Sequence, residues 1–383
     1  MLILTSILTD WINVMDWLTA PEALALLGTQ PQTLYANVSR GRIKARPDPA
    51  DSRRSLYRGD DVRRLAQRAS GRRKQETVAT EAMCWGEPVL PTALSTVRDG
   101  RLLYRGRDVS DLAESATLEE VAALLWQAPV VLEPDLEPTQ ATGLGAAFAA
   151  LAAKAADAPA AARSMAVLVR DAGLVLSTMA ETLAGPGAGP IHIRLAQRWR
   201  RPDAADAIRR ALVLLADHEF NTSTFAARVT VSTGSSLWSG ALAGLATLRG
   251  PRHGLASPEV AALAEDIGHQ GEEALRDWLG EGRRLPGMGH QLYPDGDPRC
   301  RALLASFDVP PAFATYAQAA RALSGDEPNV DFALAAMAAR FDLPGDAGIT
   351  LFALGRSVGW LAHMMEQVTS GEQIRPRARY VGP

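Results

Sequence analysis

Residues 285–300 read LPGMGHQLYPDGDPRC, and three glycines and three prolines in so short a run make it a turn-rich loop around His290. Gly287-Met-Gly289 has the glycine spacing that opens a dinucleotide fingerprint. It lacks the strand before and the helix after that such a loop needs, so an α/β nucleotide fold is not indicated. On both sides of this loop apolar residues recur at helical spacing, broken by Gly and Pro, and alanine is abundant while aromatic content is only 6%, a balance that favours helices over sheets. The reading is a mainly α protein with a histidine held in a loop. A histidine flanked by Gly and Pro is poorly suited to a packed core.

Two other histidines have unusual surroundings. His253 lies in LRGPRHGLASPEV (248–260), after a helix-stopping Gly-Pro and before a helix start. His218 follows an apolar run in ALVLLADHEFNTSTFAARV (211–229). Taken singly, each is more readily a satisfied polar residue than a catalyst. Their order along the chain changes that reading. The three segments, with PNVDFALAAM at 328–337, LFALGRSVGWLAHMMEQ at 351–367 and RPRARY at 375–380, resemble in sequence and order the citrate synthases of bacteria. LPTALSTVRDGRLLYRGRDVSDLAESATLEEVAALLW at 90–126 is similar to that family's entry hairpin and first helices. The resemblance covers about residues 85–383.

The resemblance implies two helical domains, a large one over 76–250 and 345–383 and a small one over 251–344, with substrates in a cleft that closes to exclude water. It implies an enzyme that condenses acetyl-CoA with oxaloacetate and hydrolyses the adduct. Removing a proton beside a thioester needs a carboxylate base and a donor for the oxygen that gains charge. By resemblance Asp331 is the base, His253 the donor to the thioester oxygen and His290 the group that polarises the ketone of oxaloacetate. His253 precedes a helix, whose dipole should favour neutral imidazole. Two substrate carboxylates call for fixed arginine forks. The family pattern assigns these to Arg299, Arg356 and Arg375, the last reaching in from the partner of a homodimer, with His218 assisting. Backbone over Leu285, Pro286, Gly287, Met288 and Gly289 would line coenzyme A. His363 matches the pattern as a structural residue; His192 and His269 are read as structural or exposed. No permanently bound cofactor and no metal are implied.

The sequence departs from the bacterial pattern at Gln291, where Arg usually follows the catalytic histidine, and at Ser257, where Asn is common. The first bears on binding of the coenzyme A phosphates rather than on the chemistry. Regions 140–210 and 305–327 are shorter than the pattern expects. The acyl group remains open: a 2-methylcitrate synthase using propionyl-CoA differs by one methylene in the pocket.

With 47% hydrophobic and 22% charged residues in 383, the chain has enough apolar surface for a large core and too little charge for disorder. The net charge of −3 is uneven: about +6 falls in residues 1–75 and about −9 in the remainder. Two cysteines, Cys84 and Cys300, cannot by themselves build a disulfide framework or a zinc site, and a reducing cytoplasm suits them. The apolar opening MLILTSILTDWINVMDWL holds Asp10, lacks a basic start and is too short between charges to span a bilayer, so no membrane partner is expected. Met15 is read as the true start.

Within the basic part, Thr19-Ala-Pro-Glu22 and Thr29-Gln-Pro-Gln32 read as capping boxes of two short helices ending at Gly28 and Gly41. Strands over Arg42–Arg46 and Ser55–Arg58 flank Pro47-Asp-Pro-Ala-Asp-Ser52, and Asp60 or Asp61 would cap a third helix through Val62 and Leu65. The pattern over 17–70 resembles the excisionase-like winged helix-turn-helix fold. That implies DNA as a partner, with the helix around Gln32–Arg40 in the major groove and Arg53 and Arg54 in the wing. Residues 70–80 read as a linker. A regulator that keeps the larger fold as a ligand sensor is a further reading, against which stands the presence of both histidines and the aspartate. In the body, Asp99-Gly100 signals a hairpin, Thr117-Leu-Glu-Glu120 a capping box, and the alanine-rich stretches 139–163 and 203–216 helices. Gly234, Ser235, Ser236, Gly240, Ala241 and Gly244 form a small-residue stretch that suits a dimer interface or a tightly packed core helix.

Overall fold

The computed structural model describes residues 17–48, 51–59, 61–62, 90–132, 141–156, 159–251, 253–254, 256–378, 380 and 382. The opening stretch before Trp17, the third N-terminal helix beyond Val62, the linker at 70–80 and Cys84 lie outside the described residues. The chain divides into two compact units, residues 1–90 with 376–383, and residues 91–375.

In the first unit, β1 (Trp17–Leu18), α1 (Ala20–Leu27), α2 (Pro31–Ser39), β2 (Ala45–Asp48) and β3 (Asp51–Arg58) follow in order. The strands form an antiparallel sheet in the order β1-β3-β2. Leu18, Ala23, Leu27, Leu34, Ile43, Tyr57 and Val62 make its small core. Glu22 caps α1 as expected, its carboxylate accepting the Thr19 N–H at 2.8 Å. The second expected box does not form. Proline lacks an N–H and fits the first helical turn, so the helix starts at Pro31 behind Gln30 and the Thr29 hydroxyl is left without a partner. The first wing strand starts at Ala45, because the Arg42 and Ile43 N–H groups still bond to Asn37 O. Gly59, Asp61 and Val62 are helical, and the Asp61 carboxylate accepts the Lys44 N–H at 3.1 Å.

The second unit opens with a hairpin of β4 (Ser95–Arg98) and β5 (Arg101–Tyr104), to which β6 (Arg107–Asp108) adds an unforeseen edge. Asp99 and Gly100 both have positive φ, 51° and 70°, as the two-residue turn requires. Helices then follow: α3 (Val109–Ser115), α4 (Leu118–Trp126), α5 (Leu144–Lys154), α6 (Met165–Ala184), α7 (Ile191–Arg198), α8 (Ala205–Leu215), α9 (Thr222–Ser232) and α10 (Leu237–Leu248). Next come α11 (Ser257–Gln270), α12 (Glu273–Gly280), α13 (Pro298–Leu304), α14 (Pro311–Ser324), α15 (Val330–Arg340) and α16 (Ala347–Ser370). The Thr117 box forms at α4. Among its described residues the first alanine-rich stretch is helical only over α5: Ala162 has φ +58°, and the chain turns there. The second begins as a single 3₁₀ turn, Pro202–Ala204, before α8.

The core organises around α16, a helix buried on nearly every face and packed on α4, α6, α8, α9 and α10. Small residues let it approach its neighbours. A Cβ on Gly359 would lie 2.4 Å from Ala216 O, and the Gly359 N–H instead donates to that oxygen at 3.0 Å. Gly240 and Gly244 of α10 face Met364 and Trp360 of α16, so those two glycines seat a helix of the same chain. Gly234, Ser235 and Ser236 precede α10, with Ser236 as its N-cap. A second group, α11 with α12, α14 and α15, and α15 with α13, carries the loop 285–297. Among the described residues no helix is long and apolar enough to cross a membrane.

Candidate active site

The loop 285–297 lies against α11 and α15, and glycine makes that possible. Gly287 has φ +72°, and a Cβ there would meet Val260 Cγ2 at 2.7 Å and Phe332 Cβ at 3.1 Å. A short antiparallel bridge ties the loop to the approach of α15. The Gly289 N–H donates to Glu327 O and the Asn329 N–H to Gly287 O, both at 2.8 Å, and the Asn329 amide donates to Gly289 O at 3.0 Å. Asn329 also caps α15 by accepting the Asp331 N–H at 3.0 Å. The histidine loop and the first turn of α15 are therefore one construction. Leu285, Pro286 and Gly287 are buried, while Met288 and Gly289 are half-buried.

His290 accepts the Leu292 N–H at Nδ1 (3.2 Å), so its neutral ring carries the proton on Nε2. Burial, and then the Arg299 guanidinium, hold its pKa down to about 4. Its ring packs on Tyr293 at 4.8 Å and meets His218 edge-on at 5.3 Å. His218 is buried, with Nε2 2.8 Å from the Tyr293 hydroxyl. Burial, followed by Arg299 and Arg356, keeps it neutral well below its ordinary range.

His253 stands between α10 and α11. Its Nε2 is 2.9 Å from Ser223 Oγ, which also accepts the Trp360 indole N–H at 3.1 Å and bonds Asn221 Oδ1 at 2.7 Å. Phe352 meets its ring edge at 5.9 Å. Its pKa is lowered to about 4, by burial first and Arg356 second. Neutral imidazole was the expectation from the helix dipole, and the causes found are burial and the arginine.

Arg356 and Asp331 are the two incomplete groups. Arg356 is 1% exposed; its Nε donates to Leu215 O at 2.8 Å, while Nη2 is buried without a partner. Burial lowers its pKa to about 10, which leaves it cationic near neutrality. Asp331 has Oδ1 buried without a donor, and burial raises its pKa to about 6 against the pull of Arg299 and Arg356. A buried cation lacking an acceptor and a buried carboxylate lacking a donor are costly unless a ligand completes them.

Arg299 is differently placed. Its Nε and Nη2 donate to the two oxygens of Asp297 at 3.0 and 2.8 Å, and Asp297 Oδ2 also accepts the Val330 N–H at 3.0 Å. The fork is held from α13 and tied to the start of α15, with its charge stabilised by that carboxylate. Arg375 is exposed beyond α16, and among the described residues no hydrogen bond or ion pair joins it to these groups. His363 is fully buried, its Nε2 on Asp217 and its Nδ1 on Arg228, in a network that includes Glu366. His192 is buried and His269 exposed.

The structure thus gathers His218, His253, His290, Arg299, Arg356 and Asp331. Sequence reading passed over Asp297, Asn329, Tyr293 and Ser223. Asp297 before Pro298 and Asn329 before Val330 carried a recognisable helix-start signal; Ser223, inside α9, carried none. Among the described residues no group of three His, Cys, Asp or Glu side chains is arranged to hold a metal ion. A cleft of about 320 Å³ lined by Lys154, Arg163, Asp171, Ser236 and Trp238 shares no residue with the site.

Neutral imidazoles, a carboxylate of raised proton affinity and buried guanidinium groups on a helical scaffold define an enzyme of acid–base chemistry on an anionic substrate. The family model for the citrate synthase C-terminal domain matches residues 82–189 and 146–377. The chain belongs to the citrate synthase family. It is 29% identical to citrate synthase 2 of Bacillus subtilis over 76% of this chain and 93% of that one. It is 30% identical to 2-methylcitrate synthase of Shewanella oneidensis over 78% and 93%. Citrate synthase of Thermotoga maritima superimposes with a TM-score of 0.63 at 27% identity, covering 78% of this chain and 94% of that chain. The ternary complex of carboxymethyl coenzyme A and oxaloacetate with the citrate synthase of Thermoplasma acidophilum superimposes with a TM-score of 0.62 at 26% identity, covering 78% of this chain and 95% of that chain.

Proposed function

We propose that the protein condenses acetyl-CoA with oxaloacetate and hydrolyses the product to citrate and CoA. The observation that carries this is the pair of unsatisfied buried groups, Arg356 Nη2 and Asp331 Oδ1, in one site with neutral histidines. Arg356 and Arg299 would take the substrate carboxylates, with His218 beside them. Asp331 removes a proton from the methyl carbon of the thioester. His253 donates to the thioester oxygen, and His290, whose Nε2 carries the proton, polarises the ketone that the enol attacks. Water then breaks the carbon–sulfur bond and releases the thiol. Leu285–Gly289 would line coenzyme A. The structure with carboxymethyl coenzyme A and oxaloacetate supports the substrate pair by likeness. Release of free thiol from a panel of acyl-CoAs, measured with and without oxaloacetate, tests the reading; no oxaloacetate-dependent release from any of them refutes it.

The likeness to 2-methylcitrate synthases at the same level of identity favours propionyl-CoA as the second candidate. The large domain would comprise 76–250 and 345–383 and the small domain 251–344, with α15 carrying Asp331 toward residues on α16. Arg375, exposed in one chain, would complete the site of a partner in a homodimer. The basic first unit, with two helices followed by a hairpin, would act as a winged helix-turn-helix that binds DNA, in a cytoplasmic protein.

A further inference from the structure

The geometry assigns Tyr293 as a positioning residue that fixes the tautomer of His218, donating its phenolic proton to Nε2 so that the imidazole N–H available to substrate is on Nδ1. This rests on the reading that His218 contacts oxaloacetate. Tyr293 is 2% exposed, and among the described residues its hydroxyl has one hydrogen-bond partner, His218 Nε2 at 2.8 Å. A buried hydroxyl needs an acceptor for its proton. Were Tyr293 to accept from an Nε2–H instead, its own buried proton would have no acceptor among the described residues, which is the more expensive arrangement. Burial also holds the phenol in its protonated form, and burial with Arg299 and Arg356 holds His218 neutral, so a single ring proton remains to be placed.

The same side chain is set by the groups it serves. The Tyr293 N–H donates to His290 O at 2.9 Å, its ring lies 4.8 Å from that of His290, and Arg299 Cζ is 5.6 Å from its centroid. One tyrosine therefore joins the loop that carries His290, the helix that carries Arg299 and the residue His218 that lies between α8 and α9.

The test is Tyr293→Phe, which keeps the ring and removes the proton. In ¹⁵N-labelled protein without substrate, His218, identified by the resonance missing from His218→Asn, is expected as the Nδ1–H tautomer and to lose that preference in the variant. The oxaloacetate KM is expected to rise about tenfold with kcat within about threefold, and the two substitutions together to cost no more than His218→Asn alone. An Nε2–H tautomer in the wild type, an unchanged tautomer in the variant, or additive effects would overturn the assignment. If His218→Asn leaves the oxaloacetate KM unaltered, the substrate-contact reading fails and the kinetic role of Tyr293 with it; the tautomer measurement distinguishes the two failures.

Discussion

Asp331 and Arg356 carry opposite charges and share one predicament, a buried polar atom with nothing to bind. For Asp331 this has a pH signature. Its pKa is raised to about 6, and only the ionised form can take a proton, so kcat/KM should fall about tenfold per pH unit below 6 and level off above it. His253 and His290, at about 4, stay neutral across that range and do not set the limb. A pH–rate profile flat to pH 5 would remove Asp331 from proton abstraction. Asp331→Asn should keep oxaloacetate binding and lower turnover by several orders of magnitude, read by calorimetry and thiol release. Arg356→Ala should weaken oxaloacetate binding by about 1.5–3 kcal/mol in calorimetry, the worth of a charged hydrogen bond. These residues were legible in the sequence through the family pattern. Their unsatisfied atoms were not, because whether a guanidinium finds an acceptor depends on what the fold brings beside it.

Elements decide how such groups are aimed. The loop at 287–290 and the cap at 327–329 are joined by two backbone hydrogen bonds and one from the Asn329 side chain, across some forty positions of sequence. Gly287→Ala should therefore act on this junction. A side chain at φ +72° strains the backbone by about 1–3 kcal/mol, and its Cβ would press on Val260 and Phe332. A lowered unfolding midpoint together with reduced turnover is the expected result; full activity with unchanged stability would show that the loop does not depend on this contact. Helices were legible where capping boxes and apolar spacing agreed, as at Thr117. They were misread where composition alone spoke: the alanine run past α5 turns at Ala162, since propensity cannot hold a helix that tertiary packing does not extend.

At the scale of the molecule, the basic unit before residue 90 and the helical unit from 91 to 375 are separately compact, and every residue assigned to the chemistry belongs to the second. Deleting residues 1–75 should leave oxaloacetate-dependent thiol release within about threefold, because no group in the site is lost. The same deletion should abolish DNA retention if the first unit binds DNA. Retention by the full chain should fall steeply with salt, as arginine–phosphate contacts release counterions. A selection from random DNA at low salt that enriches nothing would assign the first unit another role.

By itself the sequence determined the helical class, the loop character of 285–297, the hairpin at Asp99-Gly100 and the set of ionisable side chains available for chemistry. The first three follow from local causes, glycine and proline punctuation, apolar periodicity and helix-start signals, and the last from the family pattern. Only the tertiary structure decided which charges are answered and which wait for a ligand. Arg299 meets Asp297 two residues away, while Arg356, on a buried helix, donates from Nε to the Leu215 carbonyl and keeps its Nη2 without a partner. Proton affinities follow the same division. Desolvation and the charges of residues distant in sequence set them, and neither can be read from neighbours along the chain.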